Sequence, residues 1–233
     1  MSEELKTIQE ASKAVQESAK TGSKALDSIS AAGGFLKEVF GDLLQDSVGL
    51  MSDKLKFYRI ERFFSLKDKT ERNLKEKGIK ITVPIPPKLG IPLIEAATVE
   101  DNENLHTKWS NMLSNAINPN FNGKITRNFV SILEEMNPVD VLILDTICKE
   151  WLLLSDDQKD NTLFDRSKII INLKIEKKEC EISLRNLLRL GCLKPGVVVG
   201  TAISLGGHNP SSYKDTELVG ITELGIEFYK SIK

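Results

Sequence analysis

The sequence predicts a mainly α-helical protein with a long amphipathic helix, a helical central body and a C-terminal winged-helix-like α+β module. Three observations predict it. Leu36, Phe40, Leu44, Val48, Met51, Leu55 and Tyr58 recur every three or four residues, the period of a single helix face. Asn137-Pro138 then joins an N-capping side chain to a proline at the first helical position, a clear new start. The end of the chain runs helix, helix–turn–helix and two β-prone stretches, the order of a winged helix-turn-helix.

The elements follow in order. Residues 1–34 are rich in Ser, Ala, Lys and Glu, have little to bury, and are expected to be loosely ordered up to Gly33-Gly34. The long helix fills the segment 35–80. Phe57, Ile60, Phe63, Phe64 and Leu66 widen its apolar face, and Gly78 is a fitting stop with Lys75 and Lys77 in the last turn. Val83-Pro-Ile-Pro-Pro87 is extended, because each proline disfavours helix in its neighbours. The central body, 81–136, then holds helices over Leu89–Ala97, over Asp101–Ile117 with Leu105, Trp109, Leu113 and Ala116 inward, and over Arg127–Met136. The last segment, 137–233, opens with a helix to about Leu153 that buries Val141, Leu144, Ile147, Cys148 and Trp151, followed by a loop over Ser155–Thr162. Helices over Ser167–Leu173 and Lys178–Leu190 come next, the latter ended by Gly191. Strands over Leu193–Leu205 and Glu217–Thr222 precede a closing helix to Ile232.

Length and composition exclude several classes. At 233 residues with 40% hydrophobic and 28% charged side chains, the chain can bury a real core and is neither fibrous nor wholly disordered. Met1–Glu10 lacks the apolar run of a signal peptide, and the longest uncharged stretch, Pro195–Tyr213, is broken by glycines and Pro210. Cys148, Cys180 and Cys192 form no CxxC pair and read as reduced, buried thiols of a cytoplasmic protein.

Catalytic signatures are missing. The two histidines, His106 and His208, lie in no H-E-x-x-H, and there is no phosphate loop, nucleophile elbow or dinucleotide fingerprint. No cofactor or metal is therefore expected, and the balance leans away from an enzyme. His106, beside Leu105 and Trp109, reads as a structural histidine. Asp101 and Glu103 could pair on a metal, which leaves a nuclease with His106 as a rival reading, although acids in a first helical turn usually serve the dipole.

Charge is informative only locally. The net charge of −1 hides ten basic against four acidic residues between Lys54 and Lys80, a segment of +6. Phe57, Tyr58 and Phe63 interleave with Lys54, Lys56, Arg59 and Arg62, so these seven residues form a candidate membrane- or partner-binding surface. The alternative is a packed helix with a solvated basic face. The broad apolar face also makes self-association through the long helix an expectation. Lys177, Lys178, Arg185 and Arg189 are a candidate nucleic-acid-binding set. Glu176, Glu179 and Glu181 nearly neutralise them, however, and this favours a packing or protein-contact role for the module.

Several stretches taken together resemble one family: Lys54-Leu-Lys-Phe-Tyr-Arg59, Leu74-Lys-Glu-Lys-Gly-Ile79, Val83–Pro87, Leu93-Ile-Glu-Ala-Ala-Thr-Val-Glu-Asp101, the block Leu105–Pro119, Phe129-Val-Ser-Ile-Leu133 and Asn137-Pro-Val-Asp-Val-Leu-Ile-Leu-Asp145. Their order is similar to that of the bacterial Abi-alpha (abortive infection alpha) proteins, over roughly residues 35–230, with Trp109–Ala116 and Asn137–Asp145 the most specific parts. The resemblance implies anti-phage defence by abortive infection and carries over no catalytic residue. The expected mechanism is non-enzymatic, through membrane-surface or protein contacts of the long helix, with a cytoplasmic location that extends to the periphery of the inner membrane. The phage or host trigger is left open. A nucleic-acid-binding regulator or sensor that uses the C-terminal module is the alternative.

Overall fold

A computed structural model of the chain describes residues 34–35, 37–39, 57–159, 162–196 and 217–233. All but Gly34 of the expected loose segment 1–34, and most of the expected first half of the long helix, including Leu44, Lys54 and Lys56, lie outside these residues. So do the side chains of Phe57, Tyr58 and Arg59.

Within the described residues the long helix is α1, Phe57–Glu76. It ends as its sequence predicts. Gly78 adopts φ +69°, and Ile79 N–H reaches back to the Leu74 carbonyl at 2.9 Å, which closes the last turn in a Schellman arrangement. An extended segment follows, and its amides at Val83 and Ile85 donate to the carbonyls of Ile117 and Val39, each at 2.9 Å. Helix α2, Pro87–Val99, starts two residues earlier than expected because Pro87 sits where a missing N–H costs nothing.

Helix α3, Glu103–Ala116, is the hub. Asn102 caps it, its side chain accepting from the amides of Asn104 and Leu105 at 3.0 and 3.1 Å. Trp109, Met112 and Leu113 on its apolar face are buried, and α1, α2, α5 and α9 all pack against it. A short α4, Arg127–Glu134, rests on α2. Helix α5, Pro138–Leu152, opens with a full capping box: Asn137 accepts from the Asp140 amide at 3.0 Å, and the Asp140 carboxylate accepts from the Asn137 amide at 2.8 Å.

The stretch expected as a loop after Leu153 contains one short helix, α6, Asp156–Lys159. Strand β1, Phe164–Asp165, follows and is an addition to the sequence reading, since two residues are too few to show alternation. Next come α7, Arg166–Leu173, and α8, Lys177–Arg189, joined through Lys174 at φ +53°. Asp165 overrides the β-prone Ile169-Ile170-Ile171 run by capping α7 through the Ser167 amide at 2.8 Å. Strand β2 is Leu193–Pro195; the rest of the expected strand beyond Gly196 lies outside the described residues. Strand β3, Leu218–Ile221, is the centre of an antiparallel sheet of order β1-β3-β2, so three strands stand where a two-stranded ribbon was expected. The register pairs Phe164 with Val219 and Leu193 with Ile221.

The closing helix α9, Glu223–Ser231, is capped by Thr222, whose hydroxyl accepts from Gly225 N–H at 2.9 Å and sits 2.6 Å from the Gly191 carbonyl. Gly225 allows a close approach here: a Cβ on it would lie 2.2 Å from the Cys192 carbonyl oxygen. Buried residues from Phe35 to Ile232 form one continuous apolar cluster.

Candidate functional site

Two cations of the basic helix, Arg62 and Lys69, turn toward α3. Arg62 binds the Glu103 carboxylate at 2.7 Å and the Asp101 carbonyl at 2.6 Å, and Lys69 grips the other Glu103 oxygen. Lys67 pairs with Glu71 at 2.8 Å one turn on. Phe63, with 2% of its surface exposed, lies edge-on to Phe35 with ring centres 5.8 Å apart, so it is a core residue rather than a surface aromatic. The ammonium of Lys69 also lies 3.1 Å from Nδ1 of the buried His106, whose Nε2 is 3.3 Å from the Arg62 carbonyl. A neutral ring with Nδ1 accepting and Nε2–H donating satisfies both contacts. Burial, then the Lys69 charge, holds the His106 pKa below its ordinary value. Hydrogen bonds from Lys69 and Arg62 bring Glu103 down to about 2. Glu103 is thus the anchor that joins α1 to α3, and the nuclease rival loses its candidate ligand to two cations. Among the described residues no group of three or more His, Cys, Asp or Glu side chains is placed to hold a metal ion.

Further along α3, Lys108, Asn111 and Asn115 follow at helical spacing, and the two asparagines face the end of α9. The Asn115 amide donates to the Ser231 carbonyl at 3.0 Å and accepts from Lys77 at 2.6 Å; Asn111 donates to the Ile232 carbonyl at 2.9 Å and accepts from Asn73 at 2.7 Å. A helix end leaves carbonyls without internal partners, and these two asparagines supply the donors from outside. Asp145 of α5 completes the seam. It accepts from the Tyr229 hydroxyl at 3.1 Å and pairs with Lys149 at 2.5 Å, with Lys108 at 3.9 Å. Burial alone would raise the Asp145 pKa, but the Lys149 hydrogen bond, the Lys108 charge and Tyr229 outweigh it. Burial lowers Lys108 and raises Tyr229. Sequence reasoning missed this seam. Its signal is the paired i, i+4 spacing of Asn73 with Lys77 and of Asn111 with Asn115.

The candidate nucleic-acid set lies on α8 and does not converge on one basic surface. Arg189 is bound to Glu135 at 2.6 Å and to its neighbour Asn186, and Lys177 lies 3.9 Å from Glu181. Lys178 and Arg185 are exposed. Between α8 and the start of α5 runs an open groove of about 470 Å³, lined by Pro138, Val139, Lys178, Glu179, Ile182 and Ser183 among others. Its apolar rim is in solvent: Ile182 is 57% exposed, and Leu142, one turn beyond Val139 on α5, is 43% exposed. This groove was not read from the sequence, because Ile182 sits among charges and outside the inward stripe of Leu184 and Leu187.

Fold and site define a mainly helical protein with a small antiparallel sheet, held by buried polar seams and carrying an exposed apolar face on α5 and α8. The family model for abortive infection alpha matches residues 59–232, most of the chain, and the protein belongs to that family. Membership points to abortive-infection defence. No curated protein and no solved structure matches the chain. Among the described residues no helix is long and apolar enough to cross a membrane. Cys148, Cys180 and Cys192 are free and buried, and burial pushes the Cys192 thiol up to about 12.

Proposed function

We propose that this protein is an abortive-infection effector that performs no chemistry of its own and works through protein contacts. One observation carries the reading: Arg62 and Lys69 of the basic helix are tied to Glu103 in the body, whereas the α5/α8 face leaves Ile182 and Leu142 in water. A cation already paired at 2.7–2.8 Å has little left for an anionic surface, whereas exposed aliphatic side chains gain by being covered. On this reading the contact surface is the α5/α8 face. The test is phage challenge of cells that express the wild type or Ile182→Asp, with culture collapse and membrane potential followed together. The reading expects early collapse only with the wild type, before a phage burst. Equal collapse with the variant would contradict it.

A second reading has one observation in its favour. The order α5-α6-β1-α7-α8-β2-β3 with sheet order β1-β3-β2 supports a winged helix-turn-helix, with α8 as its recognition helix. On that reading the chain is a regulator or sensor that reads nucleic acid through Lys177, Lys178, Arg185 and Arg189. It expects a mobility shift that weakens steeply with salt and with Arg185→Ala. Absence of binding at low salt removes it.

A further inference from the structure

We infer that the α5/α8 face is a self-complementary surface on which a second copy of this chain docks about a two-fold axis beside Ile182. The inference names the partner for the contact reading above and rests on it.

Three features lead to it. First, Pro138, Val139 and Ile182 line the groove between α8 and α5 among polar side chains, and Leu142 is exposed one turn beyond Val139. Covering such side chains is what drives association. Second, charges of both signs flank Ile182 on α8. Glu179 lies three residues before Ile182 and Arg185 three residues after, each within about 60° of it around the helix. Third, neither charge is used at home. Among the described residues, Arg189 pairs with Glu135 and Lys177 approaches Glu181, but Glu179 and Arg185 form no ion pair.

An isologous contact places the same patch opposite itself. If the two-fold axis passes beside Ile182, across the line from Glu179 to Arg185, then Glu179 of one copy meets Arg185 of the other, and the reverse pair forms at the same time. Ile182 meets its counterpart at the centre, where the surrounding pairs exclude water. A patch of one sign would repel its copy; this one satisfies both charges twice. The arrangement also covers Arg185 and Lys178, so a dimer on this face and a nucleic acid on α8 exclude each other.

The experiment is sedimentation equilibrium of the full chain, with far-UV circular dichroism to confirm folding. The wild type should be a dimer, and Ile182→Asp should be monomeric at the same concentration. Glu179→Arg and Arg185→Glu alone each create two like-charge contacts and should weaken the dimer about tenfold or more. Combining them should return it to near the wild-type constant, because the pairs re-form with signs exchanged. A monomeric wild type overturns the inference, as does a dimer that survives Ile182→Asp or a double variant no tighter than the singles. The function reading fails separately: a monomeric, folded Ile182→Asp chain that still protects cells refutes the contact mechanism and leaves the dimer standing.

Discussion

Replacing Asn115 with alanine tests whether the asparagine seam holds the closing helix. Asn115 is 3% exposed, and its amide is the 3.0 Å donor to the buried Ser231 carbonyl. Removing it leaves that carbonyl without a close donor in a place water does not reach, at a cost of about 1–3 kcal/mol. The Lys77 ammonium also loses its 2.6 Å acceptor, but it lies at the surface and regains water, which adds only a few tenths. Alanine favours helix over asparagine by about 0.5 kcal/mol, which offsets part of the loss. The net destabilisation is about 2 kcal/mol, or roughly 4–8 °C in the melting midpoint of a chain this size. The matched control is Asn118→Ala: the Asn118 side-chain oxygen accepts from the Asn120 amide at 2.8 Å in an exposed turn, and its loss should cost under about 0.5 kcal/mol. Urea unfolding gives the free energies. Native-state hydrogen exchange over Glu223–Ser231 should quicken by roughly thirtyfold in Asn115→Ala alone, if these amides exchange through the opening that the seam opposes. If the two variants unfold alike and the closing helix exchanges as in the wild type, the seam does not bear on α9 and the reasoning fails.

Three further outcomes follow from the geometry. The pKa of His106 is depressed in the fold, so its contribution is complete above its unfolded value of about 6.5 and is lost as pH falls below it; Glu103, depressed to about 2 from 4.5, adds a second loss below roughly pH 5. Glu103→Gln should remove only the lower step, worth no more than about 1 kcal/mol because the carboxylate is solvent-exposed, and a stability curve flat from pH 7 to pH 3 would refute both assignments. Gly225→Ala drives a methyl against the Cys192 backbone, so α9 must shift off β2; a melting midpoint within about 2 °C of the wild type would show the contact to be yielding. In flotation with anionic vesicles, Arg62→Glu should leave membrane association of the full chain unchanged, because Arg62 is committed to Glu103, whereas a clear loss would return the basic helix to the membrane reading.

What was legible in the sequence was whatever depends on local signals. Asn137-Pro138, the glycines at 78 and 191, and the apolar stripe of α3 each specify an element through residues a few positions apart, and each is found where the spacing put it. Strand β1 was illegible because it exists only through its pairing with Val219, far along the chain. The same limit hid the role of the basic helix. Arg62 and Lys69 look like a surface patch until Glu103, 41 residues after Arg62, is brought against them. A charge count cannot distinguish a solvated cation from one that spans two helices. Asn111 and Asn115 lay within the block that most resembled the family, yet their partners are backbone carbonyls of the final turn, which carry no side-chain signature.

The most direct test of the account is the plating efficiency of a phage panel on cells carrying the wild type, Glu179→Arg, Arg185→Glu or the double reversal, at matched expression. If defence works through contacts of the α5/α8 face, plating should be depressed by the wild type, restored by either single reversal and depressed again by the double. Equal protection by all four chains would contradict the account.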